Sequence, residues 1–525
     1  MKKIFLNGSI LTMESLEIKE ALLIDENKIV SVGNEKEILN KKDEDTEVID
    51  LKGKCLMPSF IDSHSHISAF TQTQSLVNLA GLKNFEEIIN KLIEYKEENK
   101  LKNGDWIVGF GYDHNFLEER EHPNRYVLDK ISMENPVLLA HQSGHMGVVN
   151  SKALEVMNIN KYTRSPEGGK IQKDENNEPT GYLEENAFIE ASRKTGGVSF
   201  DKMMTAYEKA EKIYLKNGIT TAQDGLTKKA DFELLKTLSQ KDKFNMDIIS
   251  YLDIKTAQDI FKENNEYINN YVKNYKIGGY KMILDGSPQG KTAWLSKPYV
   301  GEDSYCGYPT YEDDKLEEYV KIALKENMQI LIHCNGDAAA EQMIRVFEKI
   351  SKNINLENKR PVMIHAQTVR KDQLERMKKL GIIPSFFVAH TLYWGDIHIK
   401  NLGYERARKI SPMKSAIDLG IVETLHQDTP VIMPNMLESI WCAVNRKTRN
   451  GEELDVNEQI SIYEGLKAVT INSAYQYFEE NEKGSFKQGK LANMIVLDKN
   501  PLDVNKEDID KLNIMETWKN GEKVY

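Results

Sequence analysis

From about residue 277 onward the chain alternates strand-like and helix-like segments at a regular pace, and no other feature restricts the fold as tightly. Gly279-Tyr280-Lys281-Met282-Ile283-Leu284 precedes a helical stretch near 316–327. Gln329-Ile330-Leu331-Ile332-His333 precedes a segment over 338–350 in which Met343, Val346, Phe347 and Ile350 recur at helical spacing. Pro361-Val362-Met363-Ile364-His365 precedes Leu374, Met377 and Leu380, with Gly381 placed to stop the helix. Strand-like runs over 382–388 and 421–425 complete the series. Strictly alternating units of this length imply a parallel sheet, and five of them predict half or more of a (β/α)8 barrel of the TIM type. On pattern alone a doubly wound open sheet stands beside it, although no GxGxxG fingerprint supports that fold.

The two ends carry a different pattern. Residues 3–6, 21–24 and 29–32 are short apolar runs separated by Asn7-Gly8, Asp25-Glu26-Asn27 and Gly33, which reads as hairpins. Asn493-Met494-Ile495-Val496-Leu497 and Glu516-Thr517-Trp518 repeat that pattern near the C-terminus. The expectation is a small β-sandwich domain from 1–55 together with 485–525, and a barrel over 56–484 with an insertion within about 70–275. A length of 525 residues accommodates that arrangement.

Composition removes several classes of function. Lys and Arg number 70 against 81 Asp and Glu, a net charge of −11 with no basic footprint for a phosphate backbone, so no nucleic-acid partner is expected. The apolar run Ile4-Phe5-Leu6 ends at Asn7-Gly8-Ser9, too soon for a signal peptide, and no run approaches the ~20 apolar residues of a membrane helix. A cytoplasmic protein without a membrane partner is expected. Cys55, Cys306, Cys334 and Cys442 are far apart with no CxxC pair, which suits reduced thiols.

Chemistry-bearing residues recur at one place, the C-terminal end of each candidate strand, which in a barrel is the mouth where catalytic groups gather. They are His64 and His66, then Lys281, His333, His365 and Asp428. The period-two alternation of a strand sends both rings of His64-Ser65-His66 to one face, and imidazole is a good ligand for zinc and related metals. Taken alone, such a pair is more often structural than metal-binding, and Asp428-Thr429-Pro430 reads as a turn.

The ordered set changes that weighing. HxH on the first strand, Lys on the fourth, His on the fifth and sixth and Asp on the eighth resembles the amidohydrolase superfamily. Met57-Pro58-Ser59-Phe60-Ile61-Asp62-Ser63-His64-Ser65-His66 looks like its entry motif, and Gly489-Lys490-Leu491-Ala492-Asn493-Met494-Ile495-Val496-Leu497 like its exit motif, with Asn493 where Asp is usual. The segments Asp113-His114-Asn115, Ser143-Gly144-His145-Met146, Pro166-Glu167-Gly168-Gly169, Pro179-Thr180-Gly181, Asp285-Gly286-Ser287 and His333-Cys334-Asn335-Gly336-Asp337 resemble the YtcJ-type branch, which includes N-substituted formamide deformylase.

The resemblance implies one or two divalent metal ions, zinc first, with His64 and His66 on the first and His333 and His365 on the second. It implies that Lys281, deprotonated by burial, is carboxylated to N6-carboxylysine and bridges the two. Asp428 would be both ligand and proton carrier, and His145 and His390 are further catalytic candidates that can polarise a carbonyl. His426 is read as a support for Asp428, and His114 and His122, among charged residues, as solvent-facing. The implied activity is hydrolysis of a non-peptide C–N bond in a small-molecule substrate, an N-substituted amide or formamide. Deamination, cyclic-amide opening, ester hydrolysis and an inactive barrel scaffold stay open, and a homodimer is the default assembly.

Overall fold

Eight parallel strands form one curled sheet in which spatial order is chain order: β1 (Phe60–Ile61), β2 (Ile219–Thr227), β3 (Asp247–Asp253), β4 (Tyr275–Ile283), β5 (Gln329–Cys334), β6 (Val362–His365), β7 (Ile383–Phe386) and β8 (Thr424–Leu425). This is the TIM-type barrel that the alternating pattern predicts. The computed structural model describes residues 1–195 and 200–525, which divide into two units, Met1–Ser68 with Glu211–Tyr525, and Ala69–Ala210.

Burial on both faces explains the strand composition, because a parallel sheet covered by helices has no wet side. Ile61, Ile249, Tyr251, Leu331, Val362, Ile364 and Ile383 pack with Tyr477 in one cluster. An apolar-run criterion does not find β2, whose Thr220, Thr221, Gln223 and Asp224 are polar yet fully buried. The helix Asp337–Ser351 buries Ala339, Ala340, Met343, Val346, Phe347 and Ile350, an i, i+3, i+4 stripe. The helix Lys371–Leu380 ends at Gly381, whose φ of 66° is the left-handed position that favours glycine. Both β7 and β8 are shorter than the apolar runs that announce them. Phe387 to Ala389 already turn into the helix His390–Leu402, and only Thr424 and Leu425 pair with Ser385 and Phe386.

The first and last strands are tied by three hydrogen bonds just beyond their ends. Ser63 Oγ donates to the Leu425 carbonyl (2.8 Å), Asp428 N–H to His64 O (3.2 Å) and His66 N–H to Thr429 O (2.8 Å).

The two chain termini share a six-stranded sheet, in which Met494–Leu497 runs antiparallel to Cys55–Pro58, with Met494 opposite Pro58 and Leu497 opposite Cys55. A four-stranded sheet of N-terminal strands packs on it through Phe5, Leu22, Ile24, Leu56, Met494, Val496 and Trp518. Each such buried side chain contributes about 1.5–3 kcal/mol. Phe5 and Trp518 meet edge to face, with centroids 5.3 Å apart. The second unit is built on its own six-stranded mixed sheet, in which Ile107–Tyr112 and Val137–His141 are parallel neighbours. Among the described residues no helix is long and apolar enough to cross a membrane.

At the opposite end of the barrel from the mouth, a buried ion network joins strand starts to the terminal sheet. Asp247 accepts from Lys483 (2.5 Å) and Lys519 (2.9 Å), and Glu479 from Lys276 (2.5 Å) and Lys483 (3.0 Å). Burial alone would raise the Asp247 carboxyl, but the Lys483 and Lys519 ammonium groups outweigh it and hold it at about 2. Removing one partner of such a network strands a buried charge, so Asp247→Asn should lower stability by about 3–5 kcal/mol at pH 7. The folded pKa lies below the unfolded value of about 3.9, so Asp247 contributes about 2–3 kcal/mol above that value, and the contribution fades as pH falls toward 2. Urea unfolding of wild type and variant at pH 7 and pH 3 should show the gap narrowing at pH 3. A gap that is absent, or independent of pH, contradicts the assignment.

Candidate metal centre

All six barrel residues singled out in the sequence meet at the C-terminal ends of their strands. His64 and His66 follow β1, Lys281 is in β4, His333 in β5, His365 ends β6, and Asp428 follows β8. His64 Nε2 and His66 Nε2 stand 3.4 and 3.3 Å from Asp428 Oδ1, and His365 Nε2 stands 3.9 Å from Asp428 Oδ2. Lys281 Nζ is 3.1 Å from His64 Nε2, and His333 Nδ1 is 3.1 Å from His365 Nε2.

Partners behind His64, His66 and His365 decide which nitrogen of each carries its proton. Gln223 donates from Nε2 to the Ser63 carbonyl, which turns its Oε1 onto His64 Nδ1 at 2.5 Å. An amide oxygen only accepts, so His64 donates from Nδ1 and its Nε2 lone pair faces Lys281 Nζ and Asp428. His66 Nδ1 donates to the Gly225 carbonyl (2.6 Å), and its Nε2 likewise faces Asp428. Gly225 has to be glycine, since a Cβ there would lie 2.6 Å from His64 Cε1. On the far side of His333, Nε2 faces the Asn335 side-chain N–H2 at 3.1 Å, a donor, as well as the Gly286 carbonyl at 3.3 Å and Asp285 at 3.6 Å, so its partners admit either tautomer.

His365 is set by a longer relay. Ser63 spends its hydroxyl proton on Leu425 O, so towards Ser385 Oγ (3.1 Å) it can only accept. Ser385, having donated to Ser63, accepts from His426 Nδ1 (2.9 Å). His426 Nε2 then accepts from His365 Nδ1 (3.1 Å), and the Nε2 lone pair of His365 faces the centre. His426 therefore orients His365 rather than Asp428.

Electrostatics favour the neutral form of four of the rings, whereas at His66 burial is outweighed by Asp428, which raises it. Burial, followed by the charge of Lys281, pushes His333 down to about 4, and burial pushes His426 to about 3. Burial, then Lys281 and neighbouring imidazoles, hold His64 well below its ordinary value, and burial with His333 and His426 does the same to His365. All four are neutral rings, the form that ligates metal. Burial lowers Lys281 to about 7 against the pull of Asp428. Burial pushes Asp428 up, but His66 beside it, with Lys281, more than compensates and holds it below the usual carboxylate range.

A divalent cation fits this donor set. Asp428 Oδ1 is buried without a hydrogen-bond donor, and the two imidazole nitrogens facing it are beyond the usual 2.7–3.2 Å of a hydrogen bond. Tetrahedral zinc with bonds of about 2.0–2.1 Å separates its ligand atoms by about 3.3–3.4 Å, which matches both measured edges. His64, His66 and Asp428 can hold one ion, and His333, His365 and Lys281 lie next to them.

The two other catalytic candidates are placed differently. His390 is buried at the start of the helix after β7, against Phe387 and Trp394, with Nδ1 3.0 Å from His398 Nε2. His145 belongs to the unit Ala69–Ala210, where its Nδ1 lies 3.1 Å from Glu185 on exposed surface. Sequence reasoning missed Gln223, Gly225 and Ser385. The one available signal was the run of small and polar residues Thr220-Thr221-Ala222-Gln223-Asp224-Gly225 inside a buried strand.

Residues 47–525 match the model of the amidohydrolase family, and the chain belongs to that family, with a candidate metal-binding active site at its barrel mouth. It is 28% identical over 540 residues to YtcJ of Bacillus subtilis, covering 100% of this chain and 99% of that protein. It is 26% identical over 527 residues to the N-substituted formamide deformylase of Arthrobacter pascens, covering 98% and 97%. Among solved structures, an uncharacterized metal-dependent hydrolase from Pyrococcus furiosus superposes with a TM-score of 0.79 at 26% identity, covering 96% of this chain and 100% of that one.

Ser385→Ala breaks the relay and leaves the buried His426 Nδ1–H without an acceptor. The variant should lose about 1–3 kcal/mol of stability and bind zinc about 10–100-fold more weakly. Denaturant unfolding and zinc titration of the metal-free protein check this, and unchanged affinity contradicts the relay.

Proposed function

We propose that this chain is a metal-dependent hydrolase of the YtcJ type that cleaves a non-peptide C–N bond in an N-substituted amide or formamide. The carrying observation is the convergence of the His64 and His66 Nε2 atoms on an undonated Asp428 oxygen at the mouth of a parallel barrel. Full-length similarity to YtcJ and to a formamide deformylase supports the branch and the bond.

His64, His66 and Asp428 would hold one ion and His333 and His365 a second, with Lys281 between them. Zinc suits the nitrogen and oxygen donors and their spacing. When bound, such ions polarise a carbonyl and bring the pKa of a water toward neutrality. Lys281, lowered to about 7, is available as the free amine. Its nitrogen would attack carbon dioxide, form an N–C bond and release one proton, leaving an anionic carbamate able to share two cations. Asp428 would accept a proton from the attacking water and return it to the leaving nitrogen, which departs as the amine while the acyl group leaves as carboxylate or formate. His390, held by His398, would orient the substrate carbonyl.

The test is hydrolysis of N-alkyl and N-aryl formamides by zinc-reconstituted protein, with formate and amine quantified. Ammonia release without a new carboxylate would replace this reading with deamination. Chelation should abolish the activity and zinc restore it. Asp428→Asn should lower kcat by about 10²–10⁴-fold. Lys281→Ala should lose activity that short carboxylic acids partly restore, and full activity without them contradicts the carbamate.

A further inference from the structure

A second set of metal-type ligands lies in the unit Ala69–Ala210 and uses none of the barrel residues. His114 and His122, expected in solvent, are half-buried there beside His141. Asp113 and His114 follow the strand Ile107–Tyr112, and His141 ends its parallel neighbour, with Tyr112 and His141 in register. The three side chains therefore leave adjacent parallel strands at the same end, the arrangement that also gathers the barrel ligands.

We propose that Asp113, His114 and His141 form a second divalent-cation site, suited to zinc. The distances are 3.4 Å from Asp113 Oδ1 to His141 Nε2, 3.4 Å from His141 Nε2 to His114 Nδ1, and 3.7 Å from His114 Nδ1 to Asp113 Oδ1. All three exceed the usual hydrogen-bond range, so none of these contacts is a good hydrogen bond. They are close to the edges of about 3.3–3.4 Å of a tetrahedral zinc site, and the shorter two equal the 3.4 Å edge between His64 and Asp428. An octahedral ion with bonds near 2.1 Å needs edges of about 3.0 Å, so the triangle is too wide for the iron usual in two-histidine, one-carboxylate sites.

Groups behind the ligands hold them. Asn115 donates its backbone N–H and side-chain Nδ2 to Asp113 Oδ1, both at 2.9 Å. His122 stacks on His114 at 3.9 Å, with Nδ1 3.0 Å from the Tyr112 hydroxyl. His141 Nδ1 faces two groups of Ser143, the backbone N–H at 3.1 Å and Oγ at 2.9 Å. Without metal the amide donates to Nδ1 and the ring proton sits on Nε2. Cation binding moves that proton to Nδ1, where Ser143 Oγ accepts it, at the expense of the amide bond. Three protein ligands leave the fourth tetrahedral position for water or an anionic group of a small ligand.

The experiment is a zinc count on untagged full-length protein, stripped with chelator, reloaded and desalted, for wild type and for Asp113→Asn/His114→Ala. The double variant should hold one equivalent fewer per chain, and equal counts overturn the proposal. If circular dichroism shows the double variant unfolded, His114→Ala alone serves, because His114 lies partly at the surface. Zinc titration of the metal-free protein should then lose one binding class relative to wild type, and an unchanged isotherm overturns the site. A chain with His64, His66, His333 and His365 all changed to Ala should retain one zinc. That result separates failure of this site from failure of the barrel centre.

Discussion

The hydrogen bond from the Ser63 hydroxyl to the Leu425 carbonyl closes the barrel and sets its chemistry together. It ties the first strand to the last, and by consuming the only proton Ser63 owns it fixes the direction of every donor in the relay through Ser385 and His426 to His365. The adjoining seam bonds, Asp428 N–H to His64 O and His66 N–H to Thr429 O, place the carboxylate opposite the imidazole pair. Closure and site assembly are thus one event. A chain in which the seam slipped by a residue would misplace the carboxylate relative to the imidazole pair.

Burial then does two jobs with opposite signs. It discharges His64, His333, His365 and Lys281, which makes them fit to face a cation. It would also neutralise Asp428, and the neighbouring nitrogens prevent that. The result is a cluster of imidazole nitrogens around one carboxylate, a donor set matched to a divalent ion. At the other end of the barrel burial is handled by pairing, with Asp247 and Glu479 each accepting ion pairs from lysines of the same network. One end stores stability and the other stores binding capacity.

Much of this was legible in the sequence because the barrel repeats its own grammar. The apolar runs 329–333 and 361–365 each end in a histidine that faces the centre, and Gly381 marks its helix stop by a backbone need that only glycine meets cheaply. The strands β2 and β3 were not legible. In β2 the buried residues Thr220, Thr221, Gln223 and Asp224 bond to strand ends and rings instead of supplying apolar pattern, and composition cannot distinguish that from a loop. Gln223 and Ser385 were invisible for a related reason: they act behind histidines that touch the centre, and only three-dimensional adjacency shows it. His426 was visible as a histidine, but its partner could not be read until His365 was seen 3.1 Å away.

The most direct test of the central claim is anomalous X-ray scattering at the zinc edge from crystals of the zinc-reconstituted protein. The account predicts a peak within bonding distance of His64 Nε2, His66 Nε2 and Asp428 at the barrel mouth. A well-diffracting, zinc-soaked crystal with no anomalous density at that position would contradict it.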